Sequence, residues 1–433
     1  MLRIIDIQTP ESESFIAKLN ERGRLMDETI LKTVRRTLND VQTEGDKAVV
    51  RYTRKLDAPR ISVKGLKVQQ SEFKQAYAEV TPDFIEAIVH AKKNIESFHQ
   101  KQMRTSWFST EADGVLLGHI IRPLKRVGVC VPSVSQLLVS SLLMSVIPAI
   151  VAGVEEIAVC MGPMRNRQIN PHMLVAAVEC GIKEIYKCGG AQAVAAMAYG
   201  TETIAPVDKV VGPGNLYVQL AKKEVYGHVD IDKLAGPSEI LVIADSTADP
   251  DFVAADLISQ AEHSPECSAI LVTPSRGFAE QVKAAVEVQA QTLPRQYELV
   301  KAFENYGAAF VVKGLTEAIA FANQIAPEHV ELHVENPLDW IGEIRNAGAI
   351  LVGPYSPEAV ADYIAGPSHI LPTGTAARYA SPLSVHDFLK KTSLISYTKT
   401  ALEKVTPDVV KLAEVEGLEG HAAAMKIRFE DDD

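Results

Sequence analysis

The sequence lacks the features that mark several large classes of protein. It has no stretch approaching the roughly 18 uninterrupted apolar residues of a membrane span. No basic segment followed by an apolar core stands at its amino terminus. It also has no basic run, and its formal net charge is −11. We therefore expect neither a membrane partner nor nucleic-acid binding.

Cysteine is scarce as well. The five cysteines are odd in number and form no C-x-x-C pair, so neither a disulfide framework nor a cysteine metal site is indicated. Because no secretory signal is visible, this usage predicts reduced thiols in the core of a cytoplasmic protein. The apolar share of 47% is typical of a globular chain with a sizeable core.

The spacing of apolar residues changes along the chain and predicts the fold class. In the first part they recur three or four residues apart, which is typical of amphipathic helices, with Gly45 between two of them. Short β-branched runs then alternate with helical segments, which predicts βα units and a parallel sheet. The alternation begins again after "LAGPSEI" (234–240). We therefore predict an α/β protein with two Rossmann-like, doubly wound parallel-sheet domains.

The same pattern divides the chain into segments. After the last βα unit only short helical patterns remain, and a tail that cannot bury its own apolar face must pack on something else, such as a partner subunit. The predicted segments are a helical N-terminal region at 1–125, packed partly on the second α/β domain, a first α/β domain at 126–235, a second at 236–384, and a helical C-terminal tail at 385–433.

A candidate metal site begins in the segment "LISQAEHSPE", where Gln260 and His263 are three residues apart on one helical face. In βα units the carboxyl ends of helices and the amino ends of strands share one edge of the sheet. Asp362 and the pair Glu328-His329 therefore belong on that edge too. Imidazole, amide and carboxylate groups together are a donor set for a metal ion. The spacing alone leaves ordinary surface or core positions open for all of them.

Acid–base and nucleotide chemistry have weaker signals. A histidine beside a carboxylate, as in Glu328-His329, suits proton transfer near neutral pH, although a capping glutamate and a strand-opening histidine would look the same. The chain has neither a P-loop nor G-x-G-x-x-G after its first α/β strand. Its glycine-rich turns "CGGAQA" (188–193) and "VGPGNLYV" (211–218) suit phosphates at helix amino termini, but they are also common tight turns.

Taken together, ordered blocks through most of the chain resemble the histidinol dehydrogenase family. The resemblance implies a zinc-dependent homodimer with shared active sites. Its expected reaction oxidises L-histidinol to L-histidine with two NAD⁺ through an aldehyde, the last steps of histidine biosynthesis. The blocks are "EIYKCGGAQAVAAMAYGT" (184–201), "VDKVVGPGNLYV" (207–218), "AGPSEILVIAD" (235–245), "DLISQAEH" (256–263), "APEH" (326–329), "YSPEAVADYIAGPSHILPT" (355–373) and "EGLEGH" (416–421).

The resemblance also implies a role for each matching residue. One zinc ion per subunit would have the ligands Gln260, His263 and Asp362 from one chain and His421 from the partner. Glu328 and His329 would be the catalytic pair. The metal ligands and His329 would hold the substrate together with Ser238, His369 and Glu416, and the last two would reach in from the partner. The NAD contacts would be Cys130, Gln192 and Asn215.

The chain departs from the family pattern in the turn at 130–134. Where the family has Tyr-Val-Pro-Gly-Gly, this sequence has Cys130 for the tyrosine and Ser133-Val134 for the glycines. A β-branched residue disfavours positive φ, and loss of the aromatic ring removes a packing surface for NAD. Two alternatives therefore stay open: a paralogue that oxidises another small polar alcohol, such as a sulfonated diol, and a non-catalytic zinc- and histidinol-binding homologue with impaired NAD binding. The intact metal and substrate positions favour histidinol.

Overall fold

A computed structural model describes residues 1–22, 27–132 and 137–430. The chain divides into two compact units, Met1–Gln102 with Leu124–Phe388, and Met103–Pro123 with Leu389–Asp433. Within the described residues the strands are β1 (Arg3–Asp6), β2 (Trp107–Thr110), β3 (Leu116–Pro123), β4 (Arg126–Val131), β5 (Glu156–Met161), β6 (Glu184–Tyr186), β7 (Lys209–Val211), β8 (Asp230–Ile231), β9 (Glu239–Ala244), β10 (Ser268–Thr273), β11 (Gly307–Val311), β12 (His329–His333), β13 (Ala349–Val352) and β14 (Leu389–Ser396).

The α-helices alternate with these strands through most of the first unit. Within the described residues they are α1 (Pro10–Arg22), α2 (Glu28–Glu44), α3 (Asp46–Leu56), α4 (Gln70–Glu79), α5 (Pro82–Gln100), α6 (Val139–Ala152), α7 (Pro171–Glu179), α8 (Gly190–Tyr199), α9 (Leu216–Val225), α10 (Pro250–Ala261), α11 (Arg276–Gln289), α12 (Gln296–Tyr306), α13 (Leu315–Ile325), α14 (Glu358–Tyr363), α15 (Lys399–Val415) and α16 (Glu419–Lys426).

The first α/β sheet has five parallel strands in the order β6-β5-β4-β7-β8. Numbered along the chain from β4, this is the order 3-2-1-4-5, which is the doubly wound arrangement. Val129 in the central strand lies opposite Val159 and Val211. Every residue of β4 is buried, as expected for a strand with helices on both faces.

The second α/β sheet repeats this arrangement in the order β1-β11-β10-β9-β12-β13, again all parallel. Its central residue Leu241 lies opposite Ile270 and Val330. Separate hydrophobic clusters cover its two faces, one with residues from α10, α11 and α12 and the other with residues from α1 and α13. The predicted α/β fold with two Rossmann-like parallel sheets is thereby confirmed.

The N-terminal region is helical from Pro10 to Gln100 apart from short connections, and Gly45 separates α2 from α3 as predicted. Gly45 has φ 58° and its N–H donates to Val41 O, a left-handed position that favours glycine. The segment predicted to be helical at 1–125 also contains β1, β2 and β3, so that prediction was wrong for these three strands. β1 has four residues and pairs with β11, with Arg3 opposite Ala308, so its partner is too distant for a local pattern to reveal.

The second unit contains a three-stranded antiparallel sheet, in the order β14-β3-β2, followed by α15 and α16. The prediction of a purely helical tail was wrong for Leu389–Ser396, which forms β14. The sequence "LKKTSLIS" has no buried residue, so the apolar alternation that identifies a half-buried strand is missing. Backbone pairing with β3, from Leu389 opposite Pro123 to Ser396 opposite Leu116, defines the strand instead.

Two further predictions concern the cysteines and membrane-spanning helices. All five cysteines are buried and carry free thiols, as predicted. Among the residues that the structure describes, no helix combines the length and apolar character that a membrane crossing requires.

Candidate active site

Most of the predicted metal, substrate and acid–base residues lie at the amino edge of the six-stranded sheet. Glu328 immediately precedes β12, of which His329 is the first residue, and Ser238 immediately precedes β9. The remaining residues come from connections that reach the same edge: Gln260 and His263 at the end of α10, Asp362 in α14, and His369 in the loop after α14. The shared edge predicted from βα geometry is therefore present.

One face of β12 is polar although the whole strand is buried. Alternate residues of a strand point to the same side, so His329, Glu331 and His333 share a face. Two helices that contact each other add pairs of polar residues four apart, which lie on one helical face. We call the resulting group the buried polar layer. Its members are His329, Glu331 and His333 from β12, Asp256 and Gln260 from α10, and Glu358 and Asp362 from α14.

The ring of His329 has one nitrogen that can accept a proton. Its Nδ1 lies 3.1 Å from the backbone oxygen of Glu239 and donates to it, so the lone pair is on Nε2. That nitrogen is buried and has no hydrogen-bond partner within the described part of the chain. Burial lowers the pKa of His329 to about 4, and the ring is therefore neutral at pH 7. A neutral imidazole with a free Nε2 is the form that acts as a general base.

Glu328 is held by main-chain hydrogen bonds to β9. Its Oε2 accepts from the backbone N–H of Glu239 at 2.9 Å, and its own N–H donates to Glu239 Oε2 at 3.2 Å. Burial, reinforced by the nearby Glu239 carboxylate, raises the pKa of Glu328 well above its ordinary value. A raised pKa moves a carboxylate toward the range in which it serves as a base near neutral pH.

Glu239 is a positioning residue that the sequence analysis missed. It forms an ion pair with Arg22 of α1, and its Oε1 accepts from the N–H of Gly374 at 3.1 Å. Both partners are remote in sequence, which is why no local motif indicates the role. The only sequence signal is a glutamate at the start of an otherwise apolar strand, "EILVIA".

Gln260 and His263 form a hydrogen-bonded pair as their spacing suggests. In the amide orientation that satisfies the surrounding groups, the Gln260 nitrogen donates to both oxygens of Glu358, at 3.0 and 2.6 Å. The Gln260 carbonyl oxygen then accepts from Nδ1 of His263 at 3.2 Å. Glu358, which was not predicted, therefore orients the amide so that its oxygen faces His263. Its spacing of four residues from Asp362 was the available signal.

His369 lies beside Asp362 of its own chain, so the expectation that it reaches in from a partner was wrong. Its Nδ1 donates to the backbone oxygen of Asp362 at 2.9 Å and lies 3.6 Å from Asp362 Oδ1. Its Nε2 accepts from the hydroxyl of Ser141, in α6, at 3.1 Å. The loop after α14 folds back on the helix, which brings His369 to this side chain.

The donor set fits a divalent metal ion. Burial lowers the pKa of His263, which favours the neutral imidazole that binds metals. The hydrogen bond of 3.2 Å from His263 Nδ1 to Gln260 Oε1 places an imidazole beside an amide oxygen, and both groups are donor types for a divalent metal ion. Asp362 forms a group with His329 and Glu358 whose ligand atoms lie within 4.8 Å of one another. Glu358 connects the two groups, because it accepts from Gln260 and also belongs to the group that contains Asp362.

The predicted cofactor residues Gln192 and Asn215 lie at the carboxyl edge of the five-stranded sheet. Gln192 is in the first turn of α8, is 1% exposed, and its Nε2 has no hydrogen-bond partner. Asn215 is exposed and caps α9, its Oδ1 accepting from Val218 N–H at 3.3 Å. An unpaired buried amide beside a helix amino terminus fits a polar ligand such as a dinucleotide.

Cys130, the third predicted NAD contact, contributes its thiol to the hydrophobic core. It is 4% exposed and belongs to the cluster that includes Cys160, Cys188 and Met197, and burial raises its pKa to about 12. The side chain is therefore unavailable as a packing surface for a dinucleotide. The other two altered positions of this turn, Ser133 and Val134, lie outside the described residues.

A buried ion pair holds the loop that carries Asn215. Lys222 pairs with Asp232 and donates to Gly212 O at 3.0 Å, while Asp232 accepts from Gly212 N–H at 2.9 Å. Lys222→Met should leave the Asp232 carboxylate buried and unpaired, lowering the free energy of unfolding by about 3 kcal/mol. Urea unfolding measures this loss. The neighbouring exposed residue provides the control, since Lys223→Met should change it by less than about 0.5 kcal/mol; equal values for the two variants would contradict this role.

The two predicted site residues of the second unit lie near the end of the chain. Glu416 follows α15, and His421 is in α16. Both are exposed within the chain, so neither is committed to the core of its own unit.

A Rossmann-like sheet with a buried polar amide at its carboxyl edge, together with a buried histidine–carboxylate cluster, is typical of an α/β enzyme. The sequence model described as histidinol dehydrogenase matches residues 20–429. The chain belongs to the histidinol dehydrogenase family, and it is an NAD-dependent oxidoreductase of amino-acid biosynthesis.

Individual relatives agree with this assignment. A histidinol dehydrogenase of Moorella thermoacetica is 53% identical over 409 residues, covering 94% of this chain and 96% of the relative. One from Bacillus cereus is 47% identical over 431 residues and covers 100% of both chains. The crystal structure of histidinol dehydrogenase from Elizabethkingia anophelis matches with a TM-score of 0.93 at 38% identity, covering 99% of this chain and 98% of that one.

Proposed function

We propose that the protein oxidises L-histidinol to L-histidine in two NAD-linked steps at a zinc site. The observation that carries the proposal is the unpaired Nε2 of the buried, neutral His329, which lies within the metal-donor group containing Asp362. A base without a partner, next to oxygen and nitrogen donors, suits an alcohol that is bound by a metal and loses its hydroxyl proton.

Gln260, His263 and Asp362 would hold the zinc ion from one chain, and His421 of the partner subunit would complete the set. When bound, zinc supplies Lewis-acid polarisation and fixes the substrate, while NAD⁺ accepts the hydride. Ser238 and His369 would contact the substrate from the same chain, and Glu416 of the partner subunit would close the site. The donor types and the pairing of Gln260 with His263 support this assignment.

The chain's own residues would move the protons. In the first step His329 takes the substrate hydroxyl proton at Nε2, because Nδ1 is already engaged by Glu239 O. The resulting aldehyde is then hydrated, with Glu328 taking a proton from the attacking water. In the second step His329, having released its first proton, takes a hydroxyl proton from the hydrate, whose hydride would go to the second NAD⁺; the acid that forms loses its remaining proton and becomes the carboxylate. Both bases are buried, so few water molecules compete with the substrate for them.

We propose a homodimer in which each tail completes the partner's site. Large apolar side chains that are exposed in the second unit support a partner surface, because exposed apolar groups are typical of interfaces when they are contiguous; they include Ile395, Leu412, Val415 and Ile427.

The proposal is tested by NADH absorbance with L-histidinol, with and without a chelator, beside a calorimetric titration with NAD⁺. Chelator-sensitive production of two NADH per histidinol is expected. Histidinol binding without NADH formation would overturn the proposal in favour of a non-catalytic homologue, a possibility to which the buried Cys130 gives weight. Failure to bind histidinol would instead indicate another alcohol, such as a sulfonated diol.

Gln192→Leu tests whether the carboxyl edge of the five-stranded sheet binds NAD⁺. Because the amide nitrogen has no partner among the described residues, its removal should leave the free energy of unfolding within about 1 kcal/mol of the wild type. The KM for NAD⁺ should rise about tenfold, the equivalent of one lost hydrogen bond. Gln75→Leu, on the exposed side of α4, should change neither quantity. A loss of stability with an unchanged KM would show that Gln192 has only a structural role.

A further inference from the structure

A second group of potential metal ligands lies in the buried polar layer, further from the amino end of β12. Asp256, Glu331 and His333 each offer one ligand atom, and these atoms lie within 4.8 Å of one another. His333 follows His329 by four residues in β12, so their backbone positions are about 13 Å apart. The group is therefore separate from the residues proposed above to hold the catalytic zinc.

Buried atoms of this group lack hydrogen-bond partners. His333 is 3% exposed and Glu331 is 0% exposed, yet both nitrogens of His333 and Oε2 of Glu331 have no hydrogen-bond partner among the residues that the structure describes. The other Glu331 oxygen accepts from the backbone N–H of Glu358 at 2.8 Å, which fixes the carboxylate with Oε2 toward His333. Unpaired buried polar atoms are costly, so a partner that satisfies several of them at once is expected.

The distances suit a shared metal ion better than hydrogen bonds. Nε2 of His333 lies 3.5 Å from Asp256 Oδ2 and 3.5 Å from Glu331 Oε2, without hydrogen-bond geometry to either. Two ligands on a tetrahedral zinc ion are separated by about 3.3 Å, given bonds of about 2.0 Å. The spacing therefore leaves room for an ion between the imidazole and the carboxylates.

The charge of the group also matches a divalent cation. Two carboxylates face a histidine, and within the described part of the chain neither forms an ion pair with lysine or arginine. A bound divalent ion would balance both negative charges.

We propose that Asp256, Glu331 and His333 form a second metal site, for a divalent transition-metal ion of the zinc type. One imidazole nitrogen and two carboxylate oxygens are suitable zinc ligands. The backbone N–H of Glu358 is the outer contact that orients Glu331. Because Glu358 also holds Gln260, an ion at this second site stabilises the helix and strand on which the catalytic edge is built.

The test is the zinc content of full-length protein that has been stripped with chelator and dialysed against Zn²⁺, measured by atomic emission. We expect about two zinc ions per wild-type chain and about one in His333→Leu. His263→Ala should also retain about one, because it removes the catalytic ion only. His90→Leu, which replaces an exposed histidine of α5, should keep about two.

A zinc content that is the same in His333→Leu as in the wild type would overturn the proposal, whether the wild type holds one ion or two; Asp256 and Glu331 would then share a proton instead. Failure of the proposed catalytic zinc is distinguishable, because it would appear as an unchanged content in His263→Ala. If His333→Leu does not fold, as judged by circular dichroism, Asp256→Asn is measured in its place, because asparagine is uncharged and equal in size to aspartate. Anomalous diffraction of the wild type at the zinc edge must in addition give a peak between Asp256 and His333.

Discussion

Glu328→Gln is expected to separate the two oxidation steps. The amide keeps the size of the carboxylate but cannot take a proton from water, so hydration of the aldehyde should slow by about 10²–10³-fold. Removal of the first hydride depends on His329 and should be little affected. Single-turnover measurements with histidinol should therefore give near-normal formation of the first NADH and a greatly delayed second one.

The control for this prediction is Glu335→Gln, an exposed glutamate two residues after β12, which should leave both steps unchanged. Supplying the aldehyde directly should reproduce the full defect of Glu328→Gln. If the variant instead loses both steps equally, Glu328 acts on binding or on the structure of the edge rather than on water.

His263→Ala is expected to have the largest effect on turnover. It removes an imidazole nitrogen from the proposed catalytic zinc and leaves the Gln260 oxygen without its partner. Loss of the ion removes the polarisation of the substrate oxygen, and kcat/KM should fall by about 10³-fold or more, equivalent to about 4 kcal/mol. Steady-state NADH formation measures the loss, and metal analysis of the same sample ties it to the ion.

His90→Ala, an exposed histidine in α5, provides the matched control and should have wild-type activity and metal content. Retention of the full zinc content by His263→Ala would contradict its role as a ligand. Added imidazole that restores part of the activity would support the ligand role, because the free base can occupy the vacated position.

The sequence was sufficient to predict the sheets because their strands and helices follow one another locally. The runs "EILVIAD" and "HVELHV" correspond to β9 and β12, and the alternation of β-branched runs with helices led directly to two parallel sheets. It failed for β1 and β14, and also for β2 and β3, which lie in the segment 1–125 that was predicted to be helical. Strands β1 and β14 are each defined by a partner strand remote in sequence, β11 for the first and β3 for the second, and neither has an apolar pattern of its own.

The sequence predicted those site residues that belong to recognisable motifs. Gln260 and His263 were indicated by helical spacing, and their neighbours by family resemblance. Glu239 and Glu358 were missed because their roles depend on contacts with groups distant in sequence, such as Arg22 and Gln260. The polar alternation in "HVELH" was visible, but a buried strand that is polar on one face is recognised only when the elements covering that face are known.

The pairing of β1 with β11 has a consequence for how the protein is made. β1 is synthesised before β11, so Arg3 must wait for Ala308, which at about 5–20 residues per second follows roughly 15–60 s later. Arg22 likewise waits for Glu239, the residue that positions Glu328. β1 and α1 therefore meet these partners only after most of the intervening chain has been made, and removing them should delay or prevent maturation of the catalytic edge even though no proposed catalytic residue lies there.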